Sequence, residues 1–371
     1  MAFDLPFPPN YGGIIDIYYK IKALHEIGVK VILHTFLYNG KIGAPELETI
    51  CSGVHYYSRR RFSNPFVGEL PYIVATRNDP QLLKNLKADS HPILFEGLHT
   101  TYYLNHPSLK KRFKIVRTHN VEHHYYKALE EAETGFFKKY FFRVESERLK
   151  IYEQVLEHAD VIASISPQES RYYADLFPQT QYLPAFHGNN AVTSICGKGK
   201  FILYHGNLGV AENNKAALYL VHEVFSKLDL PCVIAGNNPS KQLQQAVKGN
   251  PYITLISKIN SEDILKLIQE AHINAMPTFQ STGIKLKLLN ALYLGRFCVV
   301  NKEMVENTGL DKFCQVGDHA LAMADILAKL WAKEFTEADK AMRMGLNECE
   351  FNNGKNAIKL ESLINAFAPV Q

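Results

Sequence analysis

PTFQSTGIKLKLLNALYLGRFCVV, residues 277–300, holds a loop, a helix and a strand in quick succession. Residues 277–283 are turn formers and small polar side chains. The apolar positions Ile284, Leu286, Leu288, Leu289, Leu292 and Tyr293 then recur mainly at helical spacing. Gly295 reads as the C′ glycine that ends this helix, and 297–300, FCVV, reads as a short parallel strand covered on both faces. A loop that brings free N–H groups to a helix N-terminus can hold phosphate. Lys285 and Lys287 stand in the first turn, where they work against the helix dipole, and a bound anion relieves them. The plainer alternative is a helix-to-strand packing unit with solvated lysines.

Outward from this stretch, the C-terminal half repeats the strand–loop–helix unit. Strands are expected at 201–204, 232–235, 253–256 and 273–276, with a helix running from the loop at 205–215 through 225. Ser261 is the expected cap of the helix that follows 260, and further helices are expected at 320–333, 337–344 and 357–367. Residues 186–200 are polar and glycine-containing and read as an interdomain linker.

The N-terminal half opens on a first strand at 2–5, so short that a natural start a few residues upstream is expected. A turn-rich loop ending in Gly12 and Gly13, a helix over 14–27 closed by Gly28, and a strand over 29–35 follow. Strands at 54–57, 91–96 and 114–116 continue the pattern of a doubly wound α/β unit, whose ligands bind beyond the carboxyl ends of the strands. At such an end stands RTHNVEHHYY, residues 117–126. His119 and His123 have i, i+4 spacing, but HNVEH lacks the HExxH order and no third ligand follows, so no metal site is expected. Residues 129–156 form a charged helical region around GFFKKYFFR, residues 135–143. Its aromatics either pack, the commoner fate of such stripes, or dock on an anionic membrane surface together with the basic clusters at 59–61 and 110–114. A strand over 160–166 ends at Ser166, which has capping-box spacing to Glu169.

The 371 residues are 46% hydrophobic and 21% charged, an ordinary globular composition whose length favours two domains. The formal charge of +4 makes neither half a polycation, which argues against nucleic acid as a partner. The six cysteines are scattered without a CxxC pair and read as thiols in a reducing compartment. No apolar run approaches the ~20 residues of a spanning helix and the N-terminus has no signal-peptide pattern. The expected location is cytoplasmic, with a peripheral place at the inner face of the cytoplasmic membrane as the alternative.

The motif Gly-Ile-Lys-x-Lys-x-Leu-x-Ala-Leu-x-x-Gly-Arg, residues 283–296, resembles the donor-binding segment of retaining glycosyltransferases of group 1, or family 4, bacterial enzymes with the GT-B fold. The resemblance runs in order through the glycine loop, THNVE, ISPQE and YHGN, and so spans almost the whole chain. It implies two Rossmann-like doubly wound domains with the donor site in the interdomain cleft. Residues 1–186 would form the acceptor-side domain, with a helix over 352–371 crossing back to it, and 187–351 the nucleotide-sugar-binding domain. By resemblance His119 approaches the donor sugar, Glu122 faces the acceptor, and Lys285 and Lys287 hold the phosphates. Gly12, Gly13, Asn207, Lys215, Ser257, Thr282, Gly283, Ile284 and Asn290 fall on donor-binding positions. Thr282 and Asn290 stand where family members usually carry two glutamates, and Asn207 replaces an arginine that usually meets the phosphates.

The implied activity is hexosyl transfer from a nucleotide-sugar to a glycan or lipid-linked acceptor, with retention and in surface polysaccharide or glycoconjugate synthesis. No cofactor or metal is expected, as the sequence has no Asp-x-Asp. The alternatives are a non-catalytic scaffold or partner subunit on the same fold and a nucleotide-sugar epimerase.

Overall fold

The computed structural model describes every residue except 39, 41, 61–63, 67, 134, 280–285, 348–349 and 368–371, and the side chains of 132, 347 and 367. The described residues form two compact α/β units. One comprises Met1–His187 and the segment from Glu350 onward, and the other runs from Gly188 to beyond the helix Glu337–Met344.

The first unit contains the parallel pair β1 (Ile32–Leu37) and β2 (Gly53–Ser58) and a parallel four-stranded sheet. The latter has the order β3 (Ile93–Glu96), β4 (Lys114–Thr118), β5 (Val161–Ser164), β6 (Thr180–Tyr182). Met1 and Ala2 join them. The N–H of Ala2 donates to His34 O at 2.7 Å and Met1 O accepts from the N–H of Glu96 at 3.0 Å. The N-terminal segment thus lies between β1 and β3, and the chain order across the surface reverses there. The expected first strand at 2–5 is reduced to this bridge, and the strand expected at 29–35 begins later, at Ile32. The helix Gly12–Glu26 follows, ended by Gly28 at φ +88°. Ala23 and Leu24 on it share a core with Ala357 and Leu360 of the helix Asn353–Phe367.

The second unit is a six-stranded parallel sheet in the order β12-β11-β10-β7-β8-β9, formed by β7 (Ile202–His205), β8 (Cys232–Ala235), β9 (Ile253–Ile256), β10 (Ile273–Ala275), β11 (Phe297–Val300) and β12 (Gln315–Val316). This is the doubly wound order, with its switch point between β7 and β10. β7, β10 and β11 are buried almost throughout, as the unbroken apolar runs predict.

Four further expectations change in whole or in part. Asn260, rather than Ser261, caps the helix Ser261–Glu270, its Oδ1 accepting from the N–H of Asp263 at 2.8 Å. Gly295 follows the last residue of its helix, as expected, but without a positive φ: it is required by close packing, since a Cβ there would meet Asn274 Nδ2 at 2.4 Å. The division between the units falls inside the expected linker 186–200, after His187, but residues 188–200 are not a loose connector and pack onto the second unit: the N–H of Thr193 donates to Tyr293 O at 2.8 Å, and Gly197 bridges to Phe335. The long helical region begins earlier and is broken into a hairpin of Glu122–Ala132 and Phe136–Tyr152, on which Phe136, Phe137 and Tyr140 are exposed rather than core.

Candidate active-site halves

In the second unit the loop after β7 and the helix Leu286–Leu294 meet at Asn213. Its Nδ2 donates to Asn207 O at 3.1 Å, and its Oδ1 accepts from Lys287 Nζ at 3.1 Å. The hydroxyl of Tyr204 donates to Asn213 O at 3.0 Å. Asn213 therefore clamps the lysine to the loop at the carboxyl end of β7. Lys287 Nζ also lies 5.3 Å from the centre of the Tyr204 ring. Beside it His205 is buried, and burial together with Lys287 pushes its imidazole down to about 3, so it is neutral. Gly236, after β8, permits the loops to close up: a Cβ there would lie 1.8 Å from Gly206 O. After β10, Thr278 donates its hydroxyl to Glu212, and its N–H donates to Asn301 Oδ1 at 2.9 Å.

In the first unit a buried ionic network lies where the helix Gly12–Glu26 meets the carboxyl ends of β3 and β4. Lys20 Nζ is 2.8 Å from Asp16 Oδ2 and 2.9 Å from Glu96 Oε1, and Arg117 Nη2 donates to Asp16 Oδ1 at 3.0 Å. His119 Nε2 is 2.9 Å from Glu96 Oε2. Burial would raise both acids, but Arg117 and Lys20 outweigh it at Asp16, and Lys20 and His119 outweigh it at Glu96, so both carboxyls are held below their usual range. Asp16, Glu96 and His119 are close enough to share a metal ion. Two carboxylates are already matched there by two cations, Lys20 and Arg117, so the charge balance leaves no call for a divalent ion. Glu96 fixes the ring of His119. The other nitrogen, Nδ1, is buried with no hydrogen-bond partner among the described residues and faces Gly13, where a Cβ would stand 3.7 Å from it and 2.7 Å from Phe3 Cζ.

Glu122 begins the helix after this loop and is buried. Burial raises its carboxyl to about 8, and the nearby His99, 3.9 Å away, is pushed well below its ordinary value by burial and by Arg77. Both are neutral near pH 7.

Among the expected donor residues, Lys287 and Asn207 are brought together through Asn213, and Gly13 is brought beside His119. Asn207 turns its side chain back, Oδ1 accepting from the N–H of Gly209 at 3.1 Å. Lys215 Nζ lies 5.1 Å from the centre of the Phe279 ring, and Asn290 Oδ1 accepts from Asn189 Nδ2 at 2.8 Å. Ser257 is exposed after the edge strand β9. At Gly12 a Cβ would meet nothing within 4 Å, so that glycine is not demanded by packing. Thr282, Gly283, Ile284 and Lys285 lie outside the described residues. Asp16, Lys20, Glu96, Arg117, Asn213 and His205 were not among the expected site residues. The available signal was the charged i, i+4 pair Asp16 and Lys20 on an otherwise apolar helix face.

Residues 199–333 match the family described as Glycosyl transferases group 1. Over its length the chain is similar to the sucrose-phosphate synthase of Thermosynechococcus elongatus, with a TM-score of 0.68 at 16% identity, covering 99% of this chain and 97% of that one. The chain has the GT-B fold. The Anabaena protein HepE, in complex with UDP and glucose, gives a TM-score of 0.63 at 10% identity, with 96% of each chain covered. In sequence the chain is 27% identical over 375 residues to an uncharacterised 44.6 kDa protein in the cps region of Klebsiella pneumoniae, covering 95% of this chain and 93% of that protein. The GT-B fold and the matched group 1 domain support a hexosyltransferase. No helix among the described residues is long and apolar enough to cross a membrane.

Proposed function

We propose that the protein transfers a hexosyl group from a nucleotide-sugar to a glycan or lipid-linked acceptor with retention of configuration. The observation that carries this reading is Lys287, held by Asn213 over the loop after β7, at the switch point of a group 1 glycosyltransferase domain. A lysine fixed there meets the charge that develops on a departing nucleoside diphosphate, and a donor that is already in place needs no reorganisation. Lys285, two residues before it, serves the same phosphates by its position in the sequence. His119, oriented by Glu96, presents Nδ1 to the donor sugar, and Gly13 leaves room for the approach. The acceptor enters from the side of Glu122. Catalysis proceeds without a metal.

Surface polysaccharide or glycoconjugate synthesis is the proposed pathway, supported by the cps-region location of the Klebsiella relative. The proposed location is cytoplasmic, with a peripheral membrane contact. Release of nucleoside diphosphate from UDP-, GDP- and dTDP-sugars, with glycan and lipid-linked acceptors supplied, tests the reaction. Acceptor-dependent release from one donor, with a product of the donor's anomeric configuration by NMR, is expected. An inverted product would remove the retaining assignment, and product formed from donor and water alone would point to an epimerase.

A further inference from the structure

The hairpin of Glu122–Ala132 and Phe136–Tyr152 carries at its turn the most exposed phenylalanines of the described residues. Phe136 is 78% exposed and Phe137 84%, with Tyr140 at 52% on the next turn. The Tyr140 ring lies 5.3 Å from Phe66, itself part-exposed, so the aromatic surface extends onto a second segment. Lys138 and Lys139 are exposed in the first turn, where the helix has no acidic residue and no side-chain cap. Arg148 holds the Phe66 segment by donating to Pro65 O and Phe66 O, and Arg59 stands over the Tyr72 ring, which in turn meets Phe141. Lys138, Lys139, Arg148 and Arg59 enter no ion pair among the described residues. The nearby Glu130 is already matched by Lys127 and Arg143, and Glu133 accepts from the N–H of Gly135.

We propose that this aromatic and basic hairpin tip is a docking surface for an anionic lipid bilayer. Exposed aromatics interleaved with unpaired lysines suit the headgroup boundary, where rings enter the interface and cations meet phosphates. Protein interface cores are depleted in lysine, which disfavours a protein partner at the same tip. Lysines at a helix N-terminus are also electrostatically misplaced in water, and lipid phosphates correct this. The inference deepens the peripheral placement proposed above and rests on that reading only for which membrane is met.

Vesicle co-sedimentation of the full chain, without donor, tests it against phosphatidylcholine alone and phosphatidylcholine mixed with phosphatidylglycerol. Binding to the anionic vesicles only is expected, weakening as salt rises. F136S with F137S should weaken it roughly tenfold or more, and K138Q with K139Q by a comparable factor. All four side chains are exposed, so the melting temperatures of these variants should match the parent, which separates loss of docking from loss of fold. Equal binding to neutral vesicles, no binding to either, or phenylalanine variants that bind as the parent would overturn the proposal. So would a concentration-dependent dimer in sedimentation velocity that F136S with F137S dissolves, since the tip would then be a self-interface. Because no sugar donor is present, these outcomes are independent of whether transfer itself is observed.

Discussion

Lys287 makes the sharpest residue-level claim, because Asn213 and the Tyr204 ring hold its ammonium in one place. Lys287→Ala should lower kcat/KM by roughly 10²–10³-fold, the usual effect of removing one group that stabilises developing charge. Steady-state kinetics with the preferred donor would check this, and an unchanged kcat/KM would remove the lysine from the phosphate site. Glu122 makes a pH-dependent claim. Its carboxyl is raised to about 8 from an ordinary 4.5, so the folded state holds the proton more tightly than the unfolded chain does. Stability contributed by the neutral acid is therefore complete below pH 4.5 and is lost as pH rises to 8. Glu122→Gln removes that dependence. Its melting temperature should exceed the parent's at pH 8 and equal it near pH 4, and the reverse order would contradict the buried-acid account. The cluster of Asp16, Glu96 and His119 supports a further prediction. With Lys20 and Arg117 already supplying the positive charge, prolonged chelation should leave both transfer activity and melting temperature unchanged.

Among the elements, Gly236 bears the heaviest steric demand, since a Cβ there would fall 1.8 Å from a backbone oxygen that cannot swing away. Gly236→Ala should cost about 3 kcal/mol or more, measured by denaturant unfolding, and a loss under ~1 kcal/mol would mean that the loops after β7 and β8 are freer than this packing allows. Strands β7, β8, β9 and β11 were legible because each is a short, mainly apolar run between turn residues, and the helix Glu337–Met344 has the bounds expected of it, its start fixed in the structure by a capping box of Thr336 and Asp339. Boundaries failed where a local rule has two solutions. Asn260 and Ser261 are adjacent cap formers, and the structure uses the first. The aromatic hairpin failed for a different reason: periodicity reports which residues share a helix face, not whether anything covers that face.

At the scale of the molecule, the doubly wound order of each unit was legible from alternating strands and helices, and with it the rule that ligands bind beyond the strand ends. The partners of the expected site residues were not. Glu96 lies 23 positions from His119, and Asn213 lies 74 from Lys287, so neither hydrogen bond leaves a local pattern to read. The resemblance pointed to His119 and Lys287, and the packing adds what holds each of them. The central claim, a nucleotide-sugar site that depends on Lys287, is tested most directly by the melting temperature of the purified protein against UDP-, GDP- and dTDP-sugars, with Lys287→Ala measured alongside. A ligand that binds only the folded state raises that temperature by mass action. The account predicts a rise with one class of donor that the variant loses. No rise with any donor at millimolar concentration, or the same rise in the variant, would contradict it.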